Sequence, residues 1–266
     1  MTDTETPQRP TDDANWSKPV DRLAVGVVPA SALNLNVEGR RLVGPMQGFG
    51  QLWQKRYRIA LGGSDATPEQ VIATWKNEFG SFWPRGNRFY GPITGIAPGE
   101  VALLNLSVGA RQTLSTGVMV IYADDESFTF MTPEGHMFAA WITFSAARAD
   151  EETAIQIEVL LRANDPLYEV TMGLFGHRQE DVFWKATLAN LAARFGAPAE
   201  VTFSRTLVDP RRQWRNARNI VHNAAIRTGL YKTTHPWVLL HRPDDATSHA
   251  ATPHAATPHA ATPHDE

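Results

Sequence analysis

The stretches LSTGVMVIYADDE (residues 114–126), SFTFM (127–131), HMFAAWITFSAARADEE (136–152) and TAIQIEVLLRAND (153–165) follow one another almost without interruption. Each is rich in β-branched and aromatic residues and bounded by a short turn signal, which is the pattern of consecutive strands. Asp124-Asp125 predicts one hairpin turn, and Thr132-Pro133-Glu134-Gly135 predicts a type I turn with Pro second and Gly fourth. Connections this short join antiparallel neighbours. In the last stretch Ile155, Ile157 and Val159 share one face while Gln156 and Glu158 share the other, so one side packs and the other is wetter. From Pro166 the period changes to about 3.6. Leu167, Val170, Leu174, Trp184, Leu188, Leu191 and Phe195 recur at helical spacings, with Gly196 and Pro198 as stop signals. Gly173 and Gly176 mark a kink or a break between a short helix and a long one. The helix, about 20 residues or more, is long enough at about 30 Å to lie along a whole sheet.

Working towards the N-terminus, WQKRYRIAL (residues 53–61) alternates, with Tyr57, Ile59 and Leu61 on one face and Arg56 and Arg58 on the other. Thr67-Pro68-Glu69-Gln70 then reads as a capping box with Pro at the first helical position. Val71, Ile72, Trp75, Phe79 and Phe82 form one face of the helix that follows, ended or bent at Gly80 and Trp83-Pro84. VALLNLSV (residues 101–108) is a strand apolar on both faces, which suits cover on each side. Residues 21–51, punctuated by Gly and Pro, are expected to wrap over one edge or mouth of this unit. Residues 1–20 hold almost nothing apolar and are expected to be disordered.

Composition narrows the function. The 266 residues carry 25 Lys plus Arg against 28 Asp plus Glu, a formal net charge of −3, so the chain as a whole carries no instruction to bind nucleic acid. Zero cysteines exclude disulfides, thiolate chemistry and Cys-based metal sites. No secretory signal pattern opens the chain and no apolar run approaches a membrane span, which makes a cytoplasmic location the expectation. No GxSxG, GxxxxGK[ST] or GxGxxG element occurs, the histidines lack metal-ligand spacing, and neither a cofactor nor a metal is expected.

The order strand, helix pair, several antiparallel strands, long helix resembles the helix-grip superfamily of START and Bet v 1-like (SRPBCC) proteins. That superfamily includes polyketide cyclase/dehydrase and lipid-transport types. The resemblance covers roughly residues 52–196 and rests on WQKRYRIAL followed by ATPEQVIATWKNEF, on the strand series ending in TAIQIEVLLRAND, and on QEDVFWKATLANLAARFG as the closing helix. It implies an α+β fold in which a curved, seven-stranded antiparallel sheet grips the last helix, with an elongated cavity between them for an apolar or amphipathic ligand. A helix-grip domain is then expected over residues 52–198.

Given that fold, parity places Tyr57, Trp75, Phe79, Met119, Phe130, Trp141, Met172 and Phe175 as candidates to line the cavity, with His136 beside them. The same residues equally suit a filled interior. His136, Glu158, Tyr168 and His177 are the titratable side chains on or near the gripping elements, and none belongs to a catalytic motif. Binding or transport of a hydrophobic small molecule or lipid is the leading expectation. A cyclase or dehydratase using the same cavity is the alternative.

Residues 199–243 read as a basic helical extension, with Asp209 as cap, Pro210 at the first helical position and Gly229 as stop. From Arg205 to Lys232 seven basic residues face one acid, so an anionic partner could meet Arg211, Arg212, Arg215 and Arg218, and an interaction protein is a third possibility. Residues 244–266, with His249, His254, His259 and His264 at five-residue intervals, are expected to form a disordered tail.

Overall fold

In the computed structural model, which describes residues 13–29, 31–108, 112–198 and 200–235, alternating strands build one long antiparallel sheet. Its strands are β1 (Leu42–Val43), β2 (Leu52–Ala60), β3 (Arg88–Tyr90), β4 (Val101–Val108), β5 (Gln112–Ala123), β6 (Ser127–Pro133), β7 (Phe138–Ala149), β8 (Glu152–Ala163) and β9 (Thr202–Asp209). They run in the order β3-β4-β5-β6-β7-β8-β2-β9, with β1 paired to the end of β6. Nine strands replace the seven implied by the resemblance. The chain has a helix-grip, α+β fold, with a long helix packed along this sheet.

The helices are α1 (Pro68–Asn77), α2 (Pro166–Thr171), α3 (His177–Arg194) and α4 (Ala224–Thr234). The capping box at α1 forms as its sequence dictates: Gln70 N donates to Thr67 Oγ1 at 3.3 Å and Thr67 N to Gln70 Oε1 at 3.0 Å. Asp165 caps α2, its Oδ1 accepting from Leu167 N and Tyr168 N. The Gly-bearing interval becomes a π-helical turn, Met172–Gly176, which joins α2 to α3 without a break in helical backbone.

The β6–β7 turn sits one residue later than predicted. His136 N donates to Pro133 O, and Gly135 takes the left-handed conformation (φ 89°) that a side chain would resist. Pro133 is drawn into β6 by its pairing with Leu42, which moves the turn forward.

The sheet has two apolar faces. On the inner one, Tyr57, Ile59, Leu61, Phe128, Phe144, Ile155, Ile157 and Val159 meet Val71, Ile72, Trp75 and Phe79 of the α1 region and Trp184, Leu188 and Leu191 of α3. On the outer one, Leu103 and Met119 are covered by Leu23, Ala32 and Val37. The segment 21–51 therefore wraps a face of the sheet rather than its edge or mouth. Gly117 permits this, since a Cβ there would stand 2.6 Å from Ala102 O and 2.7 Å from Val37 Cγ2. Buried Asn36 fastens the wrap: its Nδ2 donates to Ser115 O (2.8 Å) and Thr228 Oγ1 (2.9 Å), and its Oδ1 accepts from Arg227 Nε (3.1 Å).

Both termini correct the expectations. Residues 13–20 are placed, with Trp16 bridging to Tyr122 and their rings 4.8 Å apart, because the apolar Tyr122 face gives the Trp something to cover. The disorder expected of residues 1–12 and of the tail 244–266 lies outside the described residues. In the extension, Asp209 ends strand β9 instead of capping a helix, and residues 214–222 form a 3-10 helix before α4. The reason is competition for the carboxylate. Arg162 Nη2 donates to Asp209 Oδ2 at 2.7 Å, while Arg211 N and Nε both donate to Oδ1 at 3.0 Å. Meanwhile β2 offers a free edge on which 202–209 pairs.

Candidate functional site

Between α3 and the β4–β7 part of the inner face lies a cavity of about 720 Å³. Its sheet wall is aliphatic near β4 and β5 (Leu104, Leu106, Val108, Leu114, Val118) and adds Phe130, Phe138 and Ile142 further along. Phe79 and the segment Trp83 to Arg85 close one side. The opposite wall comes from Tyr168, Thr171 and Met172, from Gly176, and from Gln179, Glu180, Val182, Phe183 and Trp184 at the start of α3, with Ala225 beside them.

Of the residues singled out from sequence, Phe79, Phe130, His136 and Met172 line this space, as does Tyr168. Tyr57 and Trp75 do not. Both are fully buried in packed core, Trp75 against Phe128 and Phe144, and Tyr57 beneath Phe203. Met119 and Trp141 lie on the other face: Met119 sits under the N-terminal wrap and Trp141 is 46% exposed. The parity was off by one in both strands, since Val118 and Val120 of β5, and Ala140 and Ile142 of β7, are the inward residues. Phe175 lies in the π-helical turn. Glu158 is on the outer face and pairs with Arg56 (2.7 Å) and Gln54 (2.7 Å), which satisfies its carboxylate far from the cavity.

His136 is buried, and its Nδ1 takes the Phe138 N–H at 3.0 Å. Burial pulls its pKa down to about 4, so the imidazole is neutral at ordinary pH. Tyr168 accepts from Ala225 N at 3.0 Å, and burial pushes its phenol above the usual range. His177 is not a solvated helix residue. It packs edge-on against Trp53, whose other neighbour is the Arg205 guanidinium, and burial together with the Lys55 charge lowers its pKa to about 4.

One cluster was not anticipated. Lys55, fully buried on β2, donates to Glu180 Oε2 (2.8 Å) and Asp181 Oδ1 (2.7 Å), and Tyr57 donates its hydroxyl to the same Asp181 oxygen (2.6 Å). Burial raises the Glu180 pKa while Lys55 opposes the shift. Burial, then the Glu180 carboxylate, push the Tyr57 phenol upward, so it keeps its proton and donates it to Asp181. The signal was in the sequence. Lys55 shares parity with Tyr57 and Ile59, and Glu180 falls four residues before Trp184 on the inward stripe, so a cation and an acid both stood at core positions.

The basic extension is partly neutralised. Arg211 pairs with Asp209 and Arg212 with Glu169, whereas Arg215 and Arg218 are exposed with no ion pair among the described residues.

A sheet wrapped on a long helix with a largely apolar cavity between them is the helix-grip arrangement. No protein-family model and no curated protein sequence matches the chain. Among solved structures it is similar to protein Ms6760 from Mycobacterium smegmatis, at 8% identity over 54% of this chain and 90% of that one, with a TM-score of 0.41. It is also similar to the di-domain ARO/CYC StfQ from the steffimycin biosynthetic pathway (8% identity, 55% of this chain and 50% of that one, TM-score 0.43). A third is Ara h 8.0201 (9% identity, 54% and 97%, TM-score 0.39). Among the described residues no helix is long and apolar enough to cross a membrane.

Proposed function

We propose that the protein binds and carries a hydrophobic small molecule or lipid in the cavity between α3 and β4–β7. The observation that supports this most directly is the cavity itself. Its volume of about 720 Å³ falls in the range of small-molecule sites, and its wall is mostly aliphatic and aromatic, with a few polar side chains among them. An apolar ligand there would replace water against Leu104, Leu106, Leu114 and Val118 at roughly 25 cal/mol per Å² of apolar surface covered.

Carriage rather than turnover fits the polar groups. General acid–base work needs a group that exchanges protons near neutral pH within reach of a reacting atom. His136 holds its proton only below about pH 4 and is tied to the Phe138 backbone, and Glu180 is committed to Lys55 through one oxygen. Native mass spectrometry of the full chain purified from its own cells, followed by denaturing extraction, tests the reading. A co-purifying apolar metabolite recovered unchanged supports it. Protein that is consistently free of ligand and fails to bind N-phenyl-1-naphthylamine counts against it, and conversion of the extracted metabolite on incubation would replace carriage with catalysis.

A further inference from the structure

Every polar side chain in the cavity wall should be paired or open to water, because a buried polar atom without a partner costs the desolvation it cannot recover. Two depart from this. Glu180 gives Oε2 to Lys55, yet its Oε1 is buried with no hydrogen-bond partner, and Trp83 Nε1 is buried and equally unpaired. Both residues line the cavity and both are 8% exposed. The Trp184 indole stands near enough to Glu180 to favour its ionised form but makes no hydrogen bond of ordinary geometry. Among the other polar neighbours, Gln179 donates to Ser107 O (3.1 Å) and Tyr168 takes the Ala225 N–H, while the Arg85 side chain at the wall is exposed to water.

Two residues of the cavity wall thus carry a buried polar atom without a partner, an acceptor on Glu180 and a donor on Trp83. Lys55 fixes the acceptor in place, since it binds Glu180 and Asp181 together from β2 and leaves the carboxylate little freedom to turn away. A hydroxyl can serve either group, giving its proton to Glu180 or accepting from Trp83. A carboxylate can serve only Trp83 and would meet the Glu180 charge, and an ether cannot donate at all.

Resting on the carrier reading above, we infer that the ligand is an apolar molecule bearing a hydroxyl group, which Glu180 selects by accepting its hydrogen bond and by repelling carboxylates. Fatty acids are therefore disfavoured relative to the corresponding alcohols. A hydrogen bond to a charged acceptor sets the preference at about ten-fold or more over a ligand that lacks the donor.

Isothermal titration of the full chain at pH 7 with 2-naphthol, 2-methoxynaphthalene and 2-naphthoate tests the inference. The expected order is naphthol tightest, the ether weaker by about ten-fold or more, and the naphthoate weakest. In Glu180→Gln the amide oxygen turns to Lys55 and presents N–H to the cavity, so the gap between naphthol and ether closes and the naphthoate gains. Equal affinity of naphthol and ether in the unaltered protein would overturn the inference while leaving the carrier reading intact. Binding of none of the three would overturn both. The three-ligand comparison on the unaltered protein decides the matter even where the variant fails to fold, which its thermal melt reports.

Discussion

Acidification should destabilise the fold through His136. In the unfolded chain its imidazole takes a proton near pH 6.5, and in the folded protein burial defers that event to about pH 4. Between those values the unfolded state binds more protons than the folded one, so stability rises with pH across the window. The contribution is fully present above 6.5 and is lost as pH falls toward 4. From pH 8 to pH 5 the unfolded ring passes 1.5 units below its pKa while the folded ring stays neutral, a loss of about 2 kcal/mol. His177, whose pKa is lowered in the same way, adds a loss of the same sign, reduced by its partial exposure. Glu180 works in the other direction, since its raised pKa makes stability fall as pH rises above 4.5. Only a difference between variants isolates His136. Asn at this position keeps an acceptor for the Phe138 N–H, bonded to Nδ1 at 3.0 Å, and removes the titration. Urea unfolding at pH 8 and pH 5 should therefore show a pH-dependent loss smaller by about 2 kcal/mol in His136→Asn than in the unaltered protein. The same loss in both, or a His136 ring resonance titrating near pH 6.5 in the folded state, would refute the assignment of a buried neutral imidazole.

Replacing Lys55 by Met leaves Glu180 buried without its cation and should cost about 3–5 kcal/mol in urea unfolding, with a substantial part recovered in the Lys55→Met, Glu180→Gln double variant. Val118→Phe extends a ring into the cavity from β5, so binding of N-phenyl-1-naphthylamine should weaken by about ten-fold or more while the melting temperature holds or rises. Arg162→Leu removes the donors to Gly50 O, Arg211 O and Asp209. It should raise hydrogen exchange at the β2–β9 pairing above that at β7–β8, as a local rather than global loosening. If the exposed arginines meet an anionic lipid surface, Arg215→Glu with Arg218→Glu should abolish salt-sensitive binding to phosphatidylserine vesicles, and binding indifferent to salt would dismiss that role.

The fold was readable because its signals are local. The Thr67 capping box, the Asp124 hairpin and the change of period at Pro166 each depend on residues within a few positions, and each appears where expected. What failed depended on distant partners. Asp209-Pro210 has the chemistry of a helix start, but Arg162, 47 residues earlier, claims the carboxylate. The inward parity of β5 and β7 cannot be taken from the largest side chain, because in this chain both faces of the sheet are covered. Met119 and Trp141 are bulky and apolar, yet the wrap buries the first on the outer face and the second stays half open.

The same consideration explains why the grip is open over β4 and β5. Over β7, β8 and β2 the inner face carries Phe144, Ile155, Ile157, Ile59 and Tyr57, and α1 lays Trp75 onto them, joined by Phe79 from the short 3-10 helix that follows it. Rings stacked edge to face at about 5 Å fill that half. Over β4 and β5 the inward residues are Leu104, Leu106, Leu114 and Val118, which are shorter and leave a space that Phe79 and Trp83 border from one side. The helix opposite cannot collapse into the gap, because Lys55 pins the start of α3 to β2 through Glu180 and Asp181. Short aliphatic groups on one wall and an ion-paired anchor on the other therefore hold the cavity apart. On this argument Lys55→Met should loosen the start of α3, so that N-phenyl-1-naphthylamine binding falls together with stability, whereas Glu158→Gln, which breaks an outer-face pair at the same sheet level, should leave binding unchanged.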